Sequence, residues 1–182
     1  MNIAEIAFDW SDIHSPVQNL IIEKRQLPVS AASIERLLKE APFSRRAEGT
    51  LDQIKSALAM LPEDVRTDIS ALGSRFMALM QTSRLRVRVE GVTNNACKKL
   101  HSDFTDLRLI TTYAGPGTDY APHDDDCCLE RLPVGAIGLF KGKLFGEGHA
   151  PCRHRSPPIE GTGVARLVLV IDTPERQEFH TI

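Results

Sequence analysis

Aromatic residues are scarce in this 182-residue chain: seven Phe, two Tyr and one Trp. A core must therefore be built largely from aliphatic side chains, and the length suffices to bury one without cross-links. Cysteine is also sparse, with four residues and no CxxC pair. That excludes a disulfide-dense scaffold and leaves reduced thiols or single metal ligands. No apolar run approaches the roughly 18 residues of a membrane span. Residues 1–10 show neither the basic start nor the apolar stretch of a secretory signal, so a cytoplasmic protein is expected. Net charge is only −2, which argues against a general binder of nucleic acid or anionic membranes. Gly115-Pro116-Gly117-Thr118 lacks the GK[ST] ending of a phosphate loop and reads as a turn. There is no internal repeat and no low-complexity segment.

What is present changes character near residue 83. Before it, helical spacing dominates after a short strand over 18–23. Ile34, Leu37, Leu38 and Ala41 share a face, and Pro42 ends that helix. Thr50 and Gln53 have the form of a capping box, followed by a stripe of Leu51, Ile54, Leu58 and Leu61. Pro62, Glu63 and Asp64 start a third helix, with acids at the positive end of the dipole. Its buried face is Val65, Ile69, Leu72, Phe76 and Leu79. After residue 83 the period is two. Arg84, Arg86 and Arg88 alternate with Leu85, Val87 and Val89, as in a half-buried strand with a basic, solvated outer face. Further strands are expected over 107–113, 134–140 and 164–172. The expected fold is α+β in a single domain, with an N-terminal strand and helical layer (1–83) packed on a β-barrel or sandwich (84–182).

The chemistry concentrates in His101-Ser102-Asp103 and His154. Side chains two apart on a strand point into the same space, so His101 and Asp103 suit one ion. His154, 53 residues on, must arrive from another strand. Two imidazoles and one carboxylate make a facial triad. That donor set leaves coordination positions open and favours non-haem Fe(II). Read alone, His-x-Asp is also an ordinary surface pattern, with Asp103 as a helix cap. Arg166 shares a face with Val168 and Val170 in an apolar run. A buried guanidinium needs a partner. A bound carboxylate supplies one in a two-pronged pair; Asp172 and Glu160 are the internal alternatives.

A competing zinc site draws on His123, Cys127 or Cys128, Cys152 and His154, since zinc favours thiolate and imidazole. The plain reading of 123–126 is a solvated acidic loop. His149 is a second candidate for the distal histidine. Cys97 and Cys152 lie close in sequence to the ligands and read as small packing residues.

His101, Asp103, His154 and then Arg166 together resemble the pattern of the Fe(II)- and 2-oxoglutarate-dependent double-stranded β-helix dioxygenases. Pro157 and Pro158 after the second histidine look like the prolyl-hydroxylase style of that superfamily. Cupins are similar in fold but begin their motif His-x-His, which is absent here. The resemblance spans roughly 84–175. It implies a jelly-roll barrel, iron held by His101, Asp103 and His154, and the distal carboxylate of 2-oxoglutarate on Arg166. It also offers Tyr113 as a hydrogen-bond donor to the co-substrate and Arg108 as a contact for an acidic substrate; the alternative is a sheet tyrosine and a surface arginine. The longer stretches 96–103, 107–118 and 154–158, with 166–172, resemble a bacterial family known as domain of unknown function 1826, which implies no activity. The substrate, a small molecule or a protein, is not readable, and neither is the oligomeric state. No nucleic-acid or membrane partner is expected.

Overall fold

Local signals in the first half set three helices in the computed structural model, which describes residues 9–122 and 128–174. Helix α1 (Ala31–Lys39) starts where the Ser30 side chain accepts from the Ser33 N–H. Helix α2 (Leu51–Ala57) carries the reciprocal Thr50–Gln53 capping box. Helix α3 (Glu63–Met80) follows Pro62 and stops at Gln81, which turns left-handed with φ 50°. Its buried face holds Val65, Ile69, Leu72 and Phe76, as the spacing predicts, with Asp68 and Gly73 among them. Among the described residues no helix is long and apolar enough to cross a membrane.

Around these helices the chain is mostly antiparallel sheet. The strands are β1 (Leu20–Glu23), β2 (Phe43–Gly49), β3 (Leu85–Val92), β4 (Leu107–Ala114), β5 (Asp119–Tyr120), β6 (Glu130–Arg131), β7 (Ile137–Lys141), β8 (His154–Arg155) and β9 (Arg166–Asp172). Six form one sheet in the order β1-β7-β4-β9-β3-β2, and three form another in the order β6-β5-β8. Both edges of the large sheet, β1 and β2, come from the chain before residue 83. The change of periodicity there is thus no boundary in the sheet. Strand β2 escapes sequence reading because Phe-Ser-Arg-Arg-Ala-Glu-Gly has little apolar content. It pairs with β3 over its whole length and is an edge, where charged side chains are tolerated.

The large sheet has two different faces. Leu85, Val87 and Val89 of β3, Leu107 and Leu109 of β4 and Leu167, Leu169 and Ile171 of β9 share one core cluster with the helices' Leu37, Ile54, Leu58, Val65 and Phe76. The opposite face, with Ile110, Phe140, Val168 and Val170, packs with Tyr120, Leu132 and Cys152. Aliphatic residues dominate both clusters, as the low aromatic content requires. The second face carries the polar residues that define the site.

Candidate metal centre and anion pocket

His101 and His154 meet through their backbones. They form an isolated antiparallel bridge, with the His101 N–H donating to the His154 carbonyl (3.0 Å) and the His154 N–H to the His101 carbonyl (2.8 Å). Directly opposed residues present their side chains on the same side of the pair, and the ring centroids lie 5.1 Å apart. Asp103, two residues further, returns to that side. One ligand atom from each of His101, Asp103 and His154 lies within 4.8 Å of the others. Strand β8 comes in 53 residues away, and its pairing with β5 fixes His154 opposite Tyr120.

The local electrostatics favour a cation between them. His101 Nδ1 lies 2.8 Å from the Lys99 carbonyl oxygen. This bond requires an Nδ1–H and leaves the Nε2 lone pair free, the usual arrangement behind a metal-binding histidine. Asp103 Oδ1 is 3.6 Å from His101 Nε2, and Asp103 Oδ2 is 3.0 Å from His154 Nε2. Burial pushes the Asp103 carboxyl up. His101, His154 and the Arg108 charge outweigh it and hold the group well below the ordinary carboxylate range. Contact with Asp103 in turn raises His101 above its ordinary value. Asp103 Oδ2 is buried without a hydrogen bond, despite its close approach to His154. An unsatisfied buried carboxylate oxygen is costly. A divalent cation shared with the two imidazoles would satisfy it, so these residues fit a metal ion.

Arg108 completes the carboxylate's surroundings. Its Nη1 lies 2.5 Å from Asp103 Oδ1, while Nε and Nη2 donate to the two oxygens of Asp172 at 2.7 and 2.8 Å. Asp103 is therefore held by Oδ1, with Oδ2 left toward His154. Sequence parity puts Arg108 on a face with Ile110 and Thr112; what parity does not reveal is that this face looks onto the metal centre.

Arg166 is the largest fully buried side chain of the described residues, at 1% exposure. Its Nε donates to the Pro116 carbonyl (2.7 Å), Nη1 to Ser156 Oγ (2.7 Å) and Nη2 to Thr118 Oγ1 (3.2 Å). All three acceptors are neutral. No described carboxylate pairs with it. Asp172 is taken by Arg108, and Asp119 and Glu90, which act on it only at a distance, are taken by Arg131 and Arg155 and by Arg46 and Arg88. Burial pulls the guanidinium down to about 10. The turn 115–118 makes the seat possible. Gly115 has φ +79°, and a Cβ there would lie 2.4 Å from the Ala165 carbonyl oxygen and 3.0 Å from Arg166 Cγ. Gly117 passes so close to Leu132 that a Cβ would strike its carbonyl oxygen at 1.8 Å. Thr118, Ser156 and the Pro116 carbonyl were not legible as arginine holders; the two glycines around Pro116 were the available signal. Arg166, His101, His154 and Arg108 line one cavity, together with Glu90, Ile110, Val168 and Val170.

Three expectations need correction. Tyr113 is not at this site. It projects from the opposite face of β4 into the helix-side core and donates to Asp68 Oδ2 at 2.8 Å. The 107, 109, 111, 113 parity places it with the leucines, away from Arg108. His149 does not replace His154, because its Nδ1 contacts Lys141 Nζ at 2.8 Å and its ring packs on Phe145. Arg86 and Arg88 do not form an outer face, since they lie on the cavity side of the sheet. The described cysteines join no ligand cluster. Cys152 is packed beside Tyr120, Phe140 and Val168, and Cys97 and Cys128 are exposed. His123, Asp124, Asp125, Asp126 and Cys127 of the zinc alternative lie outside the described residues.

A model of proteins of unknown function, DUF1826, matches residues 8–172. The chain belongs to the DUF1826 family. Among curated proteins no sequence matches. Solved structures similar to this DUF1826 chain include the dioxygenase for auxin oxidation 1 of Arabidopsis thaliana, in a binary complex with 2-oxoglutarate (9% identity, TM-score 0.57, covering 86% of this chain and 84% of that one). JOX2 in complex with 2OG, Fe and JA is similar at 10% identity and TM-score 0.60, covering 92% and 70%. A Pseudomonas putida prolyl-4-hydroxylase is similar at 11% identity and TM-score 0.54, covering 91% and 96%. At these identities the likeness is one of fold.

Proposed function

We propose that this DUF1826 protein is an Fe(II)- and 2-oxoglutarate-dependent oxygenase, a hydroxylase by preference, on a double-stranded β-helix (jelly-roll) core. The observation that carries this reading is the buried Arg166, which no described carboxylate contacts, in the cavity that His101 and His154 of the metal cluster also line. A metal triad alone fits several chemistries. A triad beside a buried guanidinium that makes no direct ion pair calls for a metal and an organic acid together.

His101 Nε2, Asp103 Oδ2 and His154 Nε2 would hold the iron. Three protein donors leave room for a chelating acid and dioxygen. When bound, iron and 2-oxoglutarate supply dioxygen activation coupled to oxidative decarboxylation of the acid. The chain's own contribution is positioning. Arg166, fixed by Pro116, Thr118 and Ser156, would take the distal carboxylate in a charge-assisted pair. Arg108 holds Asp103 in orientation. Phe140 packs on the His154 ring with centroids 4.8 Å apart, and Ile110, Val168 and Val170 keep water from the cavity floor. The fold shared with the auxin dioxygenase, JOX2 and the prolyl hydroxylase supports this reading. The expected setting is cytoplasmic.

Protein purified without oxygen should bind one equivalent of Fe(II), or of Mn(II) as a stable substitute, and then 2-oxoglutarate by isothermal titration. His101→Ala should lose the metal, whereas Arg166→Met should keep the metal and lose the acid. Metal that stays in His101→Ala and leaves with Cys152→Ser would overturn the triad.

A further inference from the structure

The cavity-side face of the large sheet carries more arginine than the metal centre uses. In the β2–β3 register Arg46 stands directly opposite Arg88, and Glu48 opposite Arg86. In the β3–β9 register Arg86 stands opposite Asp172, the carboxylate that Arg108 already grips from β4. Arg46, Arg86, Arg88 and Arg108 thus run across four adjacent strands toward Asp103. They line a second, more open cavity with Glu48 and Asp172. Arg88 and Arg108 line this cavity and the metal cavity alike, so the two are adjacent, with these side chains between them.

Like charges directly opposed across strands are destabilising unless something stands between them. Among the described residues Arg46 and Arg88 share one counter-charge, Glu90, at the long distances of 3.8 and 3.5 Å. Glu90 also accepts from Ser44. Arg88 Nε is buried without a hydrogen bond. On the other face, the same β3 strand is purely aliphatic, with Leu85, Val87 and Val89 buried. On the face away from the helices Arg88, at 32% side-chain exposure, and the more exposed Arg46, at 69%, rim a hollow beside the metal centre. Along β3, Arg88 is four residues from Val92, the register partner of Arg166. That separates the two cationic ends of the cavity by about 13 Å of strand, so a group held at Arg88 need not compete with an acid held at Arg166.

We propose that the substrate is an oxyanion-bearing molecule, a carboxylate or a phosphate ester, whose charged group seats on Arg46 and Arg88 with Arg86 at the flank, while its uncharged part reaches past Arg108 toward the metal centre. This rests on the oxygenase reading for the word substrate; the anion seat itself stands on the arginines alone. Guanidinium pairs recognise both oxyanions by bidentate hydrogen bonds.

The test uses the full chain saturated with Mn(II) and 2-oxoglutarate, titrated at low ionic strength with phenyl phosphate, phenylacetate and neutral phenylacetamide. One or both anions should bind, the amide should not, and the stronger of the two identifies the oxyanion. Arg46→Gln with Arg88→Gln should weaken the anion at least tenfold while Mn(II) and 2-oxoglutarate affinities stay within twofold. Glu90→Gln, which releases both guanidiniums, should strengthen it. Equal binding of amide and anions, or anion binding unmoved by both variants, overturns the seat. Anion binding that follows these variants in a protein taking neither Mn(II) nor 2-oxoglutarate overturns the oxygenase reading and leaves the seat standing.

Discussion

Two arginines on opposite sides of the large sheet, the part-buried Arg25 and the buried Arg166, differ in what balances them. On the helix side Arg25 grips Asp68 with two nitrogens, at 2.5 and 2.9 Å, and its Nε donates to the Gly135 carbonyl. Tyr113 closes the group from β4 through its bond to the same carboxylate. That network is complete: charge meets charge within the chain. On the cavity side Arg166 has its donors met by neutral oxygens, and its charge is answered only at a distance, by Asp119 and Glu90. A closed ion pair under a helix is part of the scaffold. A guanidinium held rigid by neutral acceptors is prepared for an anion from outside, because the orienting bonds are already made and only the charge is missing.

Breaking the closed side should cost most. Asp68→Ala strands Arg25 and removes the acceptor of Tyr113, and should lower unfolding free energy by about 3–5 kcal/mol, read from urea denaturation. Folded Asp68→Ala should still bind Mn(II) and 2-oxoglutarate; loss of both in a protein with native circular dichroism would mean the faces are not independent. The open side should respond the other way. Arg166→Met should weaken 2-oxoglutarate by roughly a hundredfold, on the scale of two charge-assisted hydrogen bonds, and leave ligand-free stability unchanged or higher, since an unpaired buried charge is gone. A large fall in ligand-free stability would show Arg166 to be structural. With wild type, saturating Mn(II) and 2-oxoglutarate should together raise stability by about 5 kcal/mol when each is at a hundredfold excess over its Kd, and His154→Ala should abolish that gain.

The smallest effects sharpen the assignment of single side chains. Cys152→Ser places a hydroxyl in an apolar cluster and should cost about 1–2 kcal/mol without changing metal content. Tyr113→Phe should cost about 1 kcal/mol and leave 2-oxoglutarate affinity untouched. Its pH dependence has a definite sign. Burial first, then Asp68, raises the phenol well above 10 in the folded state. The unfolded chain therefore ionises first, and the wild type should lose stability as pH rises above about 10. Tyr113→Phe should lack that part of the loss; identical alkaline profiles would remove the buried phenol from the account.

The sequence by itself determined the helices, because caps and 3.6-residue spacing are local: Thr50 and Gln53 make their box within one turn, and Val65, Ile69, Leu72 and Phe76 need no distant partner to define a face. It determined the central strands, because period-two alternation marks β3 and an apolar run marks β9. It also singled out His101, Asp103, His154 and Arg166 by residue type and spacing. Tertiary structure alone decided how they meet. The His101–His154 bridge joins segments 53 residues apart, and no local pattern encodes that pairing. Strand parity says that Arg108 and Tyr113 lie on opposite faces of β4, but not which face has the helices. That choice sends Tyr113 to Asp68 and Arg108 to Asp103, and it turns the arginines of β3 from an expected solvent face toward a cavity. Whether a buried charge is balanced depends on every carboxylate that the fold brings near it. For Arg166 that question is settled by which partners Asp119 and Asp172 take elsewhere, a long-range outcome that no stretch of chain carries alone.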